Sequence, residues 1–155
     1  MTYFVVKFLH VLGAIVILGT GAGIAFFVVM AHRTGDALFV ARTAAVVVVA
    51  DFLFTATAIV VQPITGYFLL RELGLSLGEG WVVASLVLYV VAGAFWIPVV
   101  WMQMRMRDLA AAAAATGAPL PAAYQKLFRI WFAFGFPGFG SVLLIVWLMI
   151  AKPSL

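Results

Sequence analysis

The chain has 155 residues, of which 67% are hydrophobic and 9% are charged, and its formal net charge is +4. A water-soluble domain of this composition has too little polar surface to cover itself, so we predict an integral membrane protein. The absence of cysteine excludes disulfides, thiolate metal sites and cysteine nucleophiles. The basic residues cluster in short loops and form no continuous patch, which argues against nucleic acid as a partner.

Four apolar stretches are each long enough to cross a bilayer, which takes about 20 residues. They are, in chain order, Tyr3–Ala31, Ala44–Leu70, Trp81–Met104 and Leu127–Ile150. The first is too long for the apolar core of a signal peptide, so we interpret it as a retained helix. We therefore predict an all-α fold, a four-helix antiparallel transmembrane bundle in which residues 1–155 form one domain.

The distribution of lysine and arginine predicts the orientation of this bundle. Basic residues concentrate in and beside the first and third connections: Arg33, Arg42, Arg105, Arg107, Lys126 and Arg129. Short loops rich in such residues stay in the cytoplasm. We expect a multi-pass protein of the bacterial inner membrane with both termini in the periplasm. The lipid bilayer is then one partner, and the sequence leaves open a redox partner protein and a homo-oligomer.

Polar residues recur along one face of the second and of the third predicted helix, since residues eleven apart lie close in angle on an α-helix. The face on the second helix comprises Asp51, Thr55, Gln62 and Gly66, and that on the third comprises Ser85, Tyr89, Trp96 and Gln103. We expect both faces to point into the bundle.

Glycines are also expected where helices approach closely in lipid, because they let backbones touch. The candidates are Gly19 and Gly23, Gly93, and the cluster Gly135, Gly138 and Gly140. The alternative is that these glycines clear space for a flat cofactor, and the sequence leaves both interpretations open.

His10 is an ionisable residue inside the first apolar stretch, and such a residue is a functional-site hypothesis by default. Lys7 lies one helical turn nearer the surface. At a rise of about 1.5 Å per residue, Gln62, Tyr89 and Ser141 come to a similar depth. We predict that these five residues form one pocket in the outer half of the membrane.

The pocket has one imidazole, which decides the kind of cofactor. His32 is about 33 Å further along the same helix and cannot share a metal with His10. Zinc needs at least three protein ligands, whereas haem already supplies four nitrogens and can be held by one axial histidine. Lys7 is then a candidate partner for a haem propionate. The alternative is a packed, hydrogen-bonded histidine beside a lysine that extends to the surface.

A series of short motifs runs through the chain in a fixed order. The series is Lys7-Phe8-Leu9-His10-Val11, His32, Pro63 with Thr65-Gly66, Trp81, Arg107-Asp108-Leu109, Tyr124, Phe128-Arg129, Pro137 and Lys152-Pro153. In this order the chain resembles the superfamily of small membrane haem proteins that includes HemJ-type protoporphyrinogen oxidases and CopD-type copper-resistance proteins. It is most similar to a family of predicted bacterial integral membrane proteins within or beside that group. The resemblance implies haem b bound by His10.

Three positions depart from the oxidases. Ser85 stands where those enzymes have a lysine four residues after the tryptophan that matches Trp81, and Trp96 replaces a histidine. The Asn-Glu pair before the proline of the fourth helix is replaced by Gly135-Phe136. The resemblance therefore does not extend to porphyrinogen oxidation.

We expect a membrane b-type haem protein with a role in electron transfer or another redox reaction at the outer side of the membrane. Whether it is an enzyme stays open. The alternative is a cofactor-free small transporter or complex-assembly subunit in which the intramembrane carboxylate of Asp51 relays protons. The competing expectation for Asp51, which we favour, is that its carboxylate does not relay protons but pairs with Arg105 or Gln103 near the cytoplasmic face.

Overall fold

Four long helices make up the computed structural model, which describes residues 1–154. They are α1 (Thr2–Thr34), α2 (Ala37–Glu72), α3 (Gly80–Ala115) and α4 (Ala122–Ala151). All four are long and apolar enough to cross a membrane. The predicted all-α, four-span fold is confirmed, and each helix extends beyond the apolar stretch that predicted it.

Two glycines end helices at one end of the bundle. Gly35 follows α1 in the left-handed conformation with φ 68°, which a residue without a β-carbon adopts at little cost. The Asp36 side chain then caps α2 by accepting hydrogen bonds from the Leu38 and Phe39 amides at 2.8 and 3.1 Å. Gly117, with φ 65°, follows the alanine run that extends α3 to Ala115. Tight turns therefore make successive helices antiparallel.

The two ends of the bundle differ in charge and in packing. The basic end, as we call it, carries the α1–α2 and α3–α4 connections, and the terminal end carries both chain termini and the α2–α3 connection. The main apolar core lies towards the basic end and draws on all four helices: Ile24, Val28, Ala31, Val40, Ala41, Val47, Met102, Met106, Ala110, Tyr124 and Trp131. A smaller cluster of Trp81, Val82 and Leu148 lies at the terminal end.

A π-helical segment, Asp51–Thr55, divides α2 into two parts. The first part, Ala37–Ala50, packs mainly on α3 and also on α1, whereas the second part, Ala56–Glu72, packs mainly on α1. A π-turn inserts one residue into an α-helix, which rotates everything after it by about 100°. The change of packing partner along α2 follows from this rotation.

Most of the glycines predicted at helix contacts do not lie at such contacts. A β-carbon added at Gly19, Gly23, Gly93, Gly135 or Gly140 would meet nothing within 4 Å, so the prediction of close helix contacts there is wrong for this chain. Gly138 does lie against a neighbouring helix, 3.5 Å from the Phe95 β-carbon. The tightest approaches are instead at Gly13 and Gly66.

Candidate functional site

His10 of α1 is half-buried against the second part of α2. It makes hydrogen bonds with two polar side chains of α2. Its Nδ1 is 2.8 Å from the Thr65 hydroxyl oxygen. Its backbone carbonyl accepts a hydrogen bond of 2.9 Å from the Gln62 amide nitrogen. Two of the five residues predicted for the pocket, His10 and Gln62, are therefore in contact.

Thr65 determines which nitrogen of His10 carries the ring proton. The Thr65 hydroxyl donates to carbonyls of its own helix, at 2.9 Å to Val61 and 3.1 Å to Gln62. A hydroxyl has only one proton to donate, and when Thr65 donates it to these carbonyls, its oxygen accepts from Nδ1–H of His10. Nε2 then carries a free lone pair, and it has no hydrogen-bond partner among residues 1–154.

Glycines on both helices make room for this cluster. A β-carbon at Gly66 would lie 3.3 Å from Cε1 of His10, and one at Gly13 would lie 2.9 Å from Nε2 of Gln62. On each helix a glycine thus packs against a polar side chain of the other helix. This close approach gives the imidazole and the amide their fixed positions.

The other three predicted pocket residues have different surroundings. The Lys7 ammonium is exposed and lies 5.6 Å from the centre of the Tyr3 ring. The Tyr89 hydroxyl donates to the Ile59 carbonyl at 2.6 Å, and the Ser141 hydroxyl donates within α4 to the Pro137 carbonyl at 2.7 Å. Tyr89 therefore lies against α2 one turn before Gln62, while Ser141 makes no hydrogen bond to the His10 cluster.

A second polar cluster surrounds Asp51, which is the first residue of the π-helical segment and is only 3% exposed. The Trp96 indole N–H donates to Oδ1 of Asp51 at 3.2 Å. With its amide nitrogen facing the carboxylate, Gln103 donates to Oδ2 at 3.0 Å and accepts from the Trp131 indole at 3.3 Å. This orientation satisfies both ends of the Gln103 amide.

In the part of the chain that the structure describes, no cation balances this carboxylate. Within residues 1–154 the one ion pair joins Arg107 and Asp108, which are neighbours near the basic end. Of the two expected partners of Asp51, Gln103 is bonded to it and Arg105 is exposed. The Thr55 hydroxyl lies beside the carboxyl group, is buried, and has no hydrogen-bond partner of normal geometry.

A small cavity of about 10 Å³ lies between this cluster and the basic end. Its wall is mostly apolar, and the lining residues that carry hydroxyl or amide groups are Thr43, Gln103 and Tyr124. The Tyr124 hydroxyl is 3.4 Å from Nδ1 of His32. The His32 ring stacks on Phe128 with their centres 3.6 Å apart. His32 thus belongs to the basic end, as far from His10 as its position along α1 requires.

Residues 4–153 match a family described as predicted integral membrane protein, DUF2269. The chain belongs to this family. No curated protein and no solved structure matches it. The match covers almost the whole chain and agrees with the four spanning helices, while the resemblance to HemJ-type and CopD-type haem proteins stays a prediction.

In this DUF2269 protein, sequence reasoning missed three residues that organise the two clusters. Thr65, Gly13 and Trp131 were absent from the predicted pocket. A signal existed for the first, since a threonine three residues after Gln62 lies beside it on a helix. None existed for Gly13 or Trp131, because their partners are on other helices. Among residues 1–154 no three of His, Asp and Glu converge as a metal-ligand group.

Proposed function

We propose that this protein is a membrane b-type haem protein in which Nε2 of His10 is the axial ligand. It serves electron transfer or another redox reaction at the outer side of the bacterial inner membrane, exchanging electrons with a redox partner protein. The basic end then faces the cytoplasm and both termini face the periplasm, as the lysine and arginine distribution predicts.

The free lone pair on Nε2 of His10 is the observation that carries this proposal. A histidine that ligates a metal almost always donates its other ring N–H to a protein acceptor, which fixes the tautomer and raises the basicity of the ligating nitrogen. Thr65 is such an acceptor. In a membrane-spanning helix, an imidazole nitrogen without a partner costs free energy unless a ligand satisfies it. An iron porphyrin is a ligand that needs only one such nitrogen.

Three residues around His10 support its role as the axial ligand in this proposal. Gly66 leaves room for the imidazole at α2, and Thr65 holds the ring in one orientation. Lys7 lies one turn closer to the terminal end with its ammonium exposed, where it can pair with a propionate. A haem held there supplies one-electron redox chemistry.

The absorption spectrum of the detergent-purified protein, expressed in haem-sufficient cells, tests the proposal. We expect a Soret band in the wild type and its loss in His10→Ala. His32→Ala is the matched control, because it removes the other histidine of the same helix and should leave the band intact. His10→Gly with added imidazole should recover the band. Full haem in His10→Ala, or a colourless wild type, contradicts the assignment.

Thr65→Val tests the role of the hydrogen bond to Nδ1 of His10. Loss of such an outer-shell partner typically weakens metal binding by about 10–100-fold. When the purified protein is diluted in detergent buffer, Thr65→Val should therefore lose its haem at a correspondingly smaller dilution than the wild type. Ser85→Ala is a suitable control, since that hydroxyl bonds only within α3, to the Trp81 carbonyl.

A second candidate function is supported by the surroundings of Asp51. In this alternative the protein is a cofactor-free transporter or assembly subunit that works through a protonatable intramembrane carboxylate. Asp51 is buried, lacks a cation partner within residues 1–154, and begins a π-helical segment. π-Turns within α-helices occur frequently at functional sites. A colourless preparation that loses its cellular function in Asp51→Asn but keeps it in His10→Ala would favour this alternative.

A further inference from the structure

We propose that Asp51 is a proton-binding site loaded from the basic end of the bundle, through a water-sized cavity that Gln103 separates from the carboxyl group. The proposal deepens the second candidate function and does not depend on haem at His10.

The surroundings of Asp51 suit both of its protonation states. When the carboxyl group is ionised, the Trp96 indole and the Gln103 amide each donate to one of its oxygens. The buried Thr55 hydroxyl beside it has no other hydrogen-bond partner among the described residues, and it can donate to the carboxylate or accept from the O–H of the acid. A buried hydroxyl without a hydrogen bond costs free energy in hydrocarbon, and a bond to either form of Asp51 removes that cost.

The groups bonded to Asp51 are neutral, so its carboxylate can be neutralised by binding a proton. The side chains bonded to it from α3, Trp96 and Gln103, are neutral, as is Trp131 of α4 behind Gln103. Within residues 1–154 no lysine, arginine or histidine of α1, α3 or α4 comes within 4.0 Å of its oxygens. In the direction of the basic end, Tyr124 lines the cavity and His32 lies beyond it.

The cavity next to Gln103 has room for about one water molecule, which enters it transiently because most of its wall is apolar. Its volume is about 10 Å³, close to the smallest space that holds a water. Thr43, Gln103 and Tyr124 are the lining residues that carry polar groups other than a sulfur, and little of their polar surface faces the cavity. Asp51 does not line the cavity, so water reaches the carboxyl group only when the Gln103 amide swings aside.

From the cavity the path continues to the surface through Tyr124 and His32. The Tyr124 side chain is 1% exposed and its hydroxyl lies 3.4 Å from Nδ1 of the half-buried His32. His32 belongs to the last turn of α1, beside the exposed Arg33. A proton taken from the buffer at this end converts the Asp51 carboxylate into a neutral acid, and its release returns the same proton. No electron moves in this step.

Infrared spectroscopy of the purified full-length protein tests the proposal. A carbonyl band of protonated Asp51, identified by its loss in Asp51→Asn, should appear as the pH is lowered and disappear as it is raised. In D₂O the band should shift as the proton exchanges. We expect exchange to slow by at least about tenfold, or ~1.4 kcal/mol of barrier, in Ala44→Val, which fills the cavity, and in Tyr124→Phe. Gln103→Ala, which opens the cavity to the carboxyl group, should speed it.

Ala58→Val is the matched control for the cavity-filling change, because Ala58 is equally buried on the same helix but does not line the cavity. Its exchange rate should equal that of the wild type. The proposal is overturned if no band assignable to Asp51 responds to pH. It is equally overturned if Ala44→Val, Tyr124→Phe and Gln103→Ala all exchange at the wild-type rate. The Soret band of the same samples reports on His10 separately, so failure of the haem proposal is distinguishable from failure of this one.

Discussion

At the scale of single residues, the contact between α1 and α2 depends on two glycines whose importance comes from what lies opposite them. Gly13 faces Gln62, and Gly66 faces His10. By contrast, Gly19 belongs to the same helix as Gly13 but faces open space. The same residue type therefore has different roles at two positions six residues apart.

Gly13→Ala should destabilise the protein relative to Gly19→Ala. The new methyl group at residue 13 would displace the Gln62 amide from the His10 carbonyl, and hydrogen bonds between membrane helices contribute about 0.6–1.7 kcal/mol. At residue 19 the change only improves helix propensity, by roughly 0.5–1 kcal/mol. The propensity gain is common to both variants, so we expect their unfolding free energies, measured by denaturant titration in detergent micelles, to differ by about 0.6–1.7 kcal/mol.

The Gln62→Ala background provides the control for this comparison. Without the amide opposite it, Gly13→Ala should become as well tolerated as Gly19→Ala. If the two glycine variants already unfold alike in the otherwise native chain, the hydrogen bond between Gln62 and His10 does not stabilise the α1–α2 contact.

At the scale of a helix, Pro63 explains the position of Tyr89. A proline inside a helix has no N–H, so the carbonyl four residues earlier, that of Ile59, loses its helical partner. The Tyr89 hydroxyl donates to this carbonyl at 2.6 Å. In a membrane such a carbonyl must find a donor within the protein, and α3 provides it. The pocket-wall residue predicted from depth is thus bonded to α2 and supports the helix that carries Gln62 and Thr65.

Tyr89→Phe should therefore cost stability only when Pro63 is present. Leaving a buried carbonyl unsatisfied costs about 1–3 kcal/mol, and we expect a loss of that size in the unfolding free energy of Tyr89→Phe. In Pro63→Ala the restored N–H can bond to Ile59, so adding Tyr89→Phe should cost less than about 0.5 kcal/mol. A double-mutant cycle measures the difference, and additive effects would show that the hydroxyl does not replace the missing N–H.

The π-helical segment of α2 marks where prediction from the sequence ends. Spacing correctly placed Tyr89, Trp96 and Gln103 on one face of α3, and all three contact α2. The same rule grouped Asp51 with Gln62 on α2, but they face different helices, α3 and α1. A one-residue insertion in the hydrogen-bond pattern leaves no mark in the composition, so a constant 100° step per residue could not reveal it.

At the scale of the whole molecule, hydropathy was sufficient to predict the four spanning helices and their order, because bilayer thickness fixes the length of an apolar span. It could not predict which faces of the helices touch. In lipid, apolar side chains gain little by facing each other instead of the membrane, so apolar patterns carry little information about contacts. The polar residues Asp51, Gln62 and His10 carried more information about contacts, and each of them belongs to one of the two polar clusters.

The orientation of the bundle can be tested directly because the chain contains no cysteine. Ser154 and Thr116 are both exposed, the first just beyond α4 at the terminal end and the second just after α3 at the basic end. With both termini in the periplasm, Ser154→Cys should react with a membrane-impermeant maleimide added to spheroplasts, and Thr116→Cys should react only after the membrane is opened. The opposite labelling pattern would invert the bundle. His10 would then lie near the cytoplasm, and the site proposed for proton loading would open to the periplasm.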